Sequence, residues 1–255
     1  MRINRIGLRA TWKRLRTRWG RFLVYGLLIF FLGSALQVLL LRWLDPWTSS
    51  VMLGDRVAAI LGGDLKYRNA YTWVALEDIS PQAAIAVIAA EDQQFPFHAG
   101  FDFKSIRQAV RQNGQSKRVR GASTISQQVA KNLFLWRGRS WLRKGLEVWY
   151  TLLIESLWPK ERILETYLNI AEMSKATFGV EAAAQKLFHK PARKLSRRQA
   201  ALLAAVLPNP KIFRAEAPSR YLNRRADHIQ RQMRALGGAS FLNELKDDDE
   251  PDAQR

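Results

Sequence analysis

Apolar residues are distributed along this chain in three ways, and each predicts a different element. Phe22 to Leu41, FLVYGLLIFFLGSALQVLLL, is an uncharged run that would extend about 30 Å as a helix, the thickness of a bilayer core. A second run, AAIAVIAA, follows Ser80 and Pro81 and leads into Glu91. It predicts a nearly all-apolar helix with Ser80 as its cap, Pro81 in its first turn and a carboxylate at its end. Helical periodicity predicts further helices at Phe103 to Gln112, Ser123 to Leu133, Trp141 to Ser156, Lys160 to Glu172, Val180 to Phe188, Ser196 to Leu207 and Ser219 to Leu236. Alternation with period two is nowhere sustained, so no strand of useful length is expected.

Between these elements the pattern weakens. From Asp45 to about Asp78, Gly54, Gly62 and Gly63 interrupt short apolar stretches, which reads as a connector with one short helix. The closing KDDDEPDAQR reads as a solvated tail. The chain thus divides into a basic arm (1–21), an apolar span (22–41), a membrane-proximal connector (42–78), a helical domain (79–236) and a polar acidic tail (237–255).

Charge sharpens this division. The formal net charge is +19, and the arm before the span carries Arg2, Arg5, Arg9, Lys13, Arg14, Arg16, Arg18 and Arg21 with no acidic residue. Such an arm holds the N-terminus in the cytoplasm and sends the remainder of the chain outward. Trp19 on one side, and Trp43 and Trp47 on the other, suit the two membrane interfaces. A buried core helix would not follow eight uninterrupted positive charges. A cleaved signal peptide is the closer rival, with Gly33, Ser34 and Ala35 as small residues, but the apolar run continues past them, so an uncleaved anchor is expected. Outside the arm the chain is still +11, and on that side of a membrane the anionic partner is a headgroup or a pyrophosphate rather than nucleic acid. Cysteine is absent, which removes disulfides, Cys-ligated zinc and a thiol nucleophile.

Candidate chemistry concentrates between Glu91 and Pro210. In EDQQFPFHAGFD, Glu91 follows the apolar helix, where desolvation would raise its pKa and suit it to accept a proton; a helix-end glutamate paired with a cation is the alternative. His98, between Phe97 and Ala99, reads as a hydrogen-bonded structural residue rather than a ligand. In RGASTISQQVAKNLFLWRGR, Ser123 and Thr124 stand at a helix start. Gln127 and Lys131 lie four residues apart on one face, with Gln128 beside them, a polar wall suited to sugar or phosphate oxygens. Arg137, Arg139, Arg143 and Lys144 then gather with no acidic residue before Glu147, an arrangement that would repel itself unless an anion such as a diphosphate sat among them.

Taken in order, EDQQFPFHAGFD, GASTISQQVAKNLF, RKGLE, KERILETYLN and FGVEAAAQKLFHKPARKLSRRQAALLAAVLPNP resemble the peptidoglycan glycosyltransferase family, lysozyme-like polymerases found alone or fused to penicillin-binding domains. The resemblance spans about Pro81 to Pro210. Since no transpeptidase-sized domain follows, it is to the monofunctional biosynthetic form. It implies a mainly α, lysozyme-like bilobal domain behind one N-terminal transmembrane helix, with a larger lobe around the Glu91 helix and a smaller membrane-facing lobe. It also implies that Glu91 is the catalytic base and Glu147 the second carboxylate, ordering the cations or the donor. Lys131, Arg139 and Arg143 would then surround the donor's diphosphate, and Ser123, Gln127 and Gln128 would contact substrate. Lys160, Glu165 and Asn169 fall in motifs of mainly architectural role. Ser126 replaces the usual second threonine of the STxTQQ pattern and Leu146 a common basic residue.

The implied substrates are lipid II and the lipid-linked glycan strand. The membrane itself is a partner, and cell wall synthesis or division proteins are candidate ones. The implied place is the cytoplasmic (inner) membrane with the catalytic domain in the periplasm. No cofactor is required on this reading. Asp92 and Asp102 lie close enough in sequence to leave an assisting Mg²⁺ or Mn²⁺ open, although metal-ligand spacing is lacking. A lytic muramidase on the same fold and a non-enzymatic envelope scaffold are the competing functions. The Gly, Ser and Arg content of Gly114 to Gly121 and Trp136 to Ser140 further suggests segments that order when the donor binds.

Overall fold

The computed structural model describes residues 5–107 and 123–246, with backbone alone for 5–19. Two units separate at Trp43 and Leu44. The first is a single helix, α1 (Arg5–Leu41), whose stretch Gly20–Leu41 has a mean hydropathy of 2.2 and is long and apolar enough to cross a membrane. Within it the Ser34 hydroxyl donates to the Phe31 carbonyl at 3.0 Å, so its polar group is satisfied by the helix itself.

The second unit is mainly helical, as expected, and is assembled around α3 (Pro81–Glu91). Ser80 caps this helix by accepting from the Gln82 N–H at 3.3 Å, and Pro81 fills the first turn, where its missing N–H has no partner to lose. Ala83 through Ala89 are all buried, and a helix apolar on every side must be covered on every side. Cover comes from α8 (Arg197–Val206), α9 (Arg220–Ala235), α6 (Lys160–Ile170) and the 3₁₀ stretch Gly238–Leu245. The alanines of α3 meet a second alanine-rich run, Ala200, Ala201, Ala204 and Ala205 of α8, and small side chains let the two backbones approach closely.

A second group of helices centres on α4 (Ile125–Phe134), which packs against α2 (Ser50–Leu61), α5 (Trp141–Leu157) and α6. The start of α4 is closed by a capping box. Thr124 Oγ1 accepts from the Gln127 N–H and the Gln127 side chain accepts from the Thr124 N–H, an arrangement of about 1 kcal/mol. Phe134 of α4 stacks on Tyr150 of α5 with centroids 4.3 Å apart. α6 touches both groups.

Three very short strands complete the described unit: β1 (Ala70–Tyr71), β2 (Glu172–Ser174) and β3 (Thr177–Phe178), in the order β1-β3-β2. β1 runs parallel to β3, pairing Ala70 with Thr177 and Tyr71 with Phe178, and β2 is antiparallel to β3 across a bulge. Two or three residues cannot show a period of two, which is why the sequence pattern leaves them out. Residues 74–76 are also stitched onto α6 by side chains. Asn169 accepts from the Val74 N–H at 3.0 Å and donates to its carbonyl at 2.9 Å, and Glu165 accepts from the Leu76 N–H at 3.0 Å.

Two boundaries differ from those read in the sequence. The segment expected as a connector belongs to the compact second unit: α2 buries Val51 and Met52 and β1 joins the sheet. The expected tail begins later, because Gly237 turns the chain at φ 95° and the next residues pack on α3, burying Leu245 and setting Phe241 edge-on to Phe97. The apolar Phe241, Leu242 and Leu245 outweigh the polar composition around them. The helix expected at Phe103 to Gln112 is seen at 103–107; its remainder and Gly114 to Gly121 lie outside the described residues.

At Gly179 (φ 83°) a Cβ would stand 2.4 Å from the Asn169 carbonyl oxygen, a backbone atom that cannot step aside. Gly179→Ala is expected to lower stability by at least about 2 kcal/mol, from left-handed strain plus the clash. Thermal denaturation of the detergent-solubilised protein measures it, and an unchanged Tm would show that the β3–α7 corner, where α7 is Val180–Phe188, is free to move.

Candidate active site

Glu91 ends α3, and the chain leaves the helix at Asp92, whose φ of −161° is extended. The Glu91 side chain is 17% exposed. Burial pushes its pKa above the ordinary carboxylate value, and Asp92 adds to this. A hydrogen bond from Gln128 and the charges of Arg225 and Lys131 oppose it without cancelling it. Gln128 Nε2 donates to Glu91 Oε2 at 2.9 Å, and Arg225 Nη2 lies 3.9 Å from Oε1. Behind Gln128, the Tyr167 hydroxyl donates to its Oε1 at 3.2 Å. Glu91 is therefore met by side chains from α4 and α9, with α6 standing behind α4.

The loop after Glu91 is pinned in place. Asp92, buried, accepts from the Ile125 N–H at 2.9 Å and from His98 Nε2 at 3.0 Å. The Gly100 N–H donates to His98 Nδ1 at 3.1 Å, so Nδ1 carries no proton and the ring donates to Asp92 through Nε2. His98 is structural, as its sequence context suggested. Thr124 Oγ1 donates to the Gly100 carbonyl at 2.7 Å, and Lys160 donates both to the His98 carbonyl and to Glu155, the latter at 2.8 Å. Ser126 also donates to Glu155. Lys160, Glu165 and Asn169 thus hold the backbone frame and none of them faces a cavity through these bonds.

The same bonds answer whether Asp92 and Asp102 suit a divalent cation. Asp92 is bonded to His98 and Ile125, and Asp102 accepts from the Ser105 N–H at 2.9 Å and its hydroxyl at 2.5 Å. Their oxygens serve protein donors, and among the described residues no three His, Asp or Glu side chains converge on one point. The pair does not fit a cation.

The cationic group is better partnered than the sequence suggested, because its counter-ions come from distant segments. Arg137 binds Asp55 of α2 and Glu172 of β2, each at 2.8 Å. Glu147, almost wholly buried, accepts from Arg143 at 3.1 Å and Lys144 at 2.5 Å. Two cations remain without such partners among the described residues. Arg139 is exposed, and the Lys131 side chain makes neither a hydrogen bond nor an ion pair with a described residue. Burial is the main cause lowering the pKa of Lys131, helped by Arg143 and Arg137, while Glu147 and Glu91 hold it up. The buried Nε of Arg143 also lacks a partner among the described residues. Cations left in this state gain from an incoming anion.

Three cavities border these groups. One of about 380 Å³ is lined by Glu91, Gln94, Lys104, Ser123 and Gln232, among others. A second, about 310 Å³, is lined by Lys131, Asn132, Trp136, Arg137, Arg139 and Arg143. A third, about 260 Å³, includes Gln128, Lys131, Arg137, Tyr167, Asn209 and Lys211. Lys131 lines both of the latter two. Of the residues singled out in the sequence, Glu91, Ser123, Gln128, Lys131, Arg139 and Arg143 border these spaces. Glu147 sits behind Arg143, and Gln127 is buried in the α4 cap with its side chain committed there. Arg225 and Tyr167 were missed. Arg225 lies on a strongly amphipathic helix rich in arginine, and nothing local in the sequence sets it apart.

Comparison with known proteins places the chain among named relatives. The family model for transglycosylases matches residues 58–234. The biosynthetic peptidoglycan transglycosylase of Xanthomonas axonopodis pv. citri (strain 306) is 51% identical over 236 residues, 92% of this chain and 96% of that protein. Those of Mannheimia succiniciproducens and Salmonella enteritidis PT4 are 49% identical over 235 residues and 58% over 195. They cover 92% and 76% of this chain, and 93% and 81% of their own.

The raised pKa of Glu91 carries a stability cost with a defined sign. Below the ordinary glutamate pKa the carboxyl is protonated folded or unfolded and costs nothing. As pH rises through the raised folded value, the unfolded chain releases the proton more readily and the folded state loses stability. Glu91→Gln, which can still accept from Gln128, is expected to raise Tm at pH 8 and to match the wild type at pH 4. Melting curves at the two pH values test this, and equal Tm values at both would contradict it.

Proposed function

This chain belongs to the transglycosylase family, and on that premise we propose that it is a peptidoglycan glycosyltransferase of cell wall biosynthesis, polymerising glycan strands from lipid II. Glu91 takes the proton of the acceptor's GlcNAc 4-hydroxyl. The freed oxygen bonds to the anomeric carbon of MurNAc at the reducing end of the growing strand. The bond from that carbon to the pyrophosphate oxygen breaks, its electron pair leaving with undecaprenyl pyrophosphate. A single in-line displacement turns an α-linked donor into a β-1,4 product with one base and no covalent enzyme intermediate.

Supporting this reading is the juxtaposition of a desolvated carboxylate with a cation-lined cavity, joined through Lys131. In the mechanism, Lys131, Arg139 and Arg143 stabilise charge as it builds on the departing diphosphate, where such preorganised cations act mainly on the transition state. Glu147 holds Arg143 and Lys144 in position rather than attacking. Ser123, beside Glu91 in the largest of the three cavities, is placed to meet the acceptor. A lytic muramidase has no diphosphate to discharge and leaves this cationic group without a purpose.

On the same reading α1 is a single-pass anchor of the inner membrane, with the basic arm in the cytoplasm and the catalytic unit in the periplasm. The unit suits work at a lipid surface, because α2 leaves Leu53, Val57, Ile60 and Leu61 exposed at helical spacing and Trp141 and Leu142 are exposed at the start of α5.

The detergent-purified wild type is expected to form polymer from labelled lipid II, and Glu91→Gln to lower the rate by about 10²- to 10⁴-fold, the usual contribution of a positioned base. No polymer from folded wild type, together with cleavage of preformed glycan, would sink the polymerase reading and favour the lytic one.

A further inference from the structure

The base has a support of its own that the reaction chemistry does not require to touch substrate. Tyr167 is buried in α6, at 1% exposure, and its hydroxyl bonds Gln128 Oε1 at 3.2 Å while Gln128 Nε2 bonds Glu91 Oε2 at 2.9 Å. A glutamine amide has an accepting end and a donating end, and what bonds one decides what the other presents. A phenol that keeps its proton can only donate at the accepting oxygen, which turns the NH₂ toward Glu91.

We propose that Tyr167 is a positioning residue that acts on Glu91 through Gln128, fixing the amide so that its donor edge faces the base. This rests on Glu91 being the base. The phenol is suited to the task, since burial, with Glu91 and Asp92 nearby, holds its pKa well above the ordinary tyrosine value and keeps the hydroxyl a donor throughout the working pH range. Without that hydroxyl the amide is free to turn over and bring its oxygen against a carboxylate, where two acceptors repel. The arrangement therefore favours the ionised, proton-accepting form of a carboxyl whose pKa burial pushes up.

The other charged groups around Glu91 do not set the amide. Lys131 faces it from α4, Arg225 from α9, and Asp92 follows it in the chain. α8 carries its ionisable residues, Arg197 and Arg198, in the first turn, where they bond Gln82 and Asp227, and Glu244 of the 238–245 stretch is exposed. Among the described residues, Tyr167 alone bonds the accepting oxygen of the Gln128 side chain.

The test is the pH dependence of lipid II polymerisation by full-length Tyr167→Phe. Loss of one aligned hydrogen bond is expected to move the acid limb of the rate profile up by about half to one pH unit. That is a loss of about 3- to 10-fold on the acid side of the limb, with rates converging on the wild type at alkaline pH. A role in packing alone would lower the rate by the same factor at every pH, and that result, or an unmoved limb, overturns the proposal. Gln128→Met guards against a misfolded phenylalanine variant. It should show the shifted limb by itself, and adding Tyr167→Phe should shift it no further, whereas an unmoved limb in Gln128→Met also overturns the proposal. Failure of the wild type to polymerise would instead count against the proposed function, so the two failures are told apart.

Discussion

A carboxylate held partly out of water at the end of a nearly all-apolar helix is the constraint around which the second unit is arranged. α3 has no polar face with which to support Glu91, so every compensating group arrives from elsewhere: Gln128 and Lys131 from α4, Arg225 from α9, and Tyr167 from α6 behind them. Each of these helices must be held at a fixed angle for its side chain to reach. The buried bonds through Asp92, Thr124, Glu155 and Lys160 tie the loop leaving Glu91 to the start of α4 and to α6. A group that destabilises the folded state when ionised is thus retained by a frame built from the two helical groups together.

The cationic side follows the same logic with the sign reversed. Arg137, Arg143 and Lys144 have carboxylate partners that fix their positions, and Lys131 is left between Glu91 and Glu147 with a bond to neither. Fixing most cations and leaving one or two uncommitted places a defined electrostatic demand at one spot. A fully paired cluster would be inert, and a fully unpaired one would push itself apart.

Much of this was legible in the sequence wherever the signal is local. The span and the cap and proline of α3 rest on residues within one turn of the feature they create, and the helix starts read at Ser123, Trp141, Ser196 and Ser219 fall within two residues of those observed. Val180–Phe188 was read to the residue. What depends on distant partners was not legible. Asp55 and Glu172 complete Arg137 from 82 and 35 residues away, so the arginines looked unpaired. Gln127 and Gln128 are adjacent and chemically identical, and only the capping box separates the one that closes a helix from the one that meets the base. The two-residue strands and the apolar core of the supposed tail fall below the length at which a period can be recognised.

The cover of α3 also bears on how the chain folds. Its seven buried residues are enclosed chiefly by α8, α9 and the 238–245 stretch, all of which follow about a hundred residues or more downstream. During synthesis the most apolar helix of the second unit therefore waits uncovered while most of the remaining domain is still being made. Contacts of such long sequence separation are slow to form and leave apolar surface exposed in the interval.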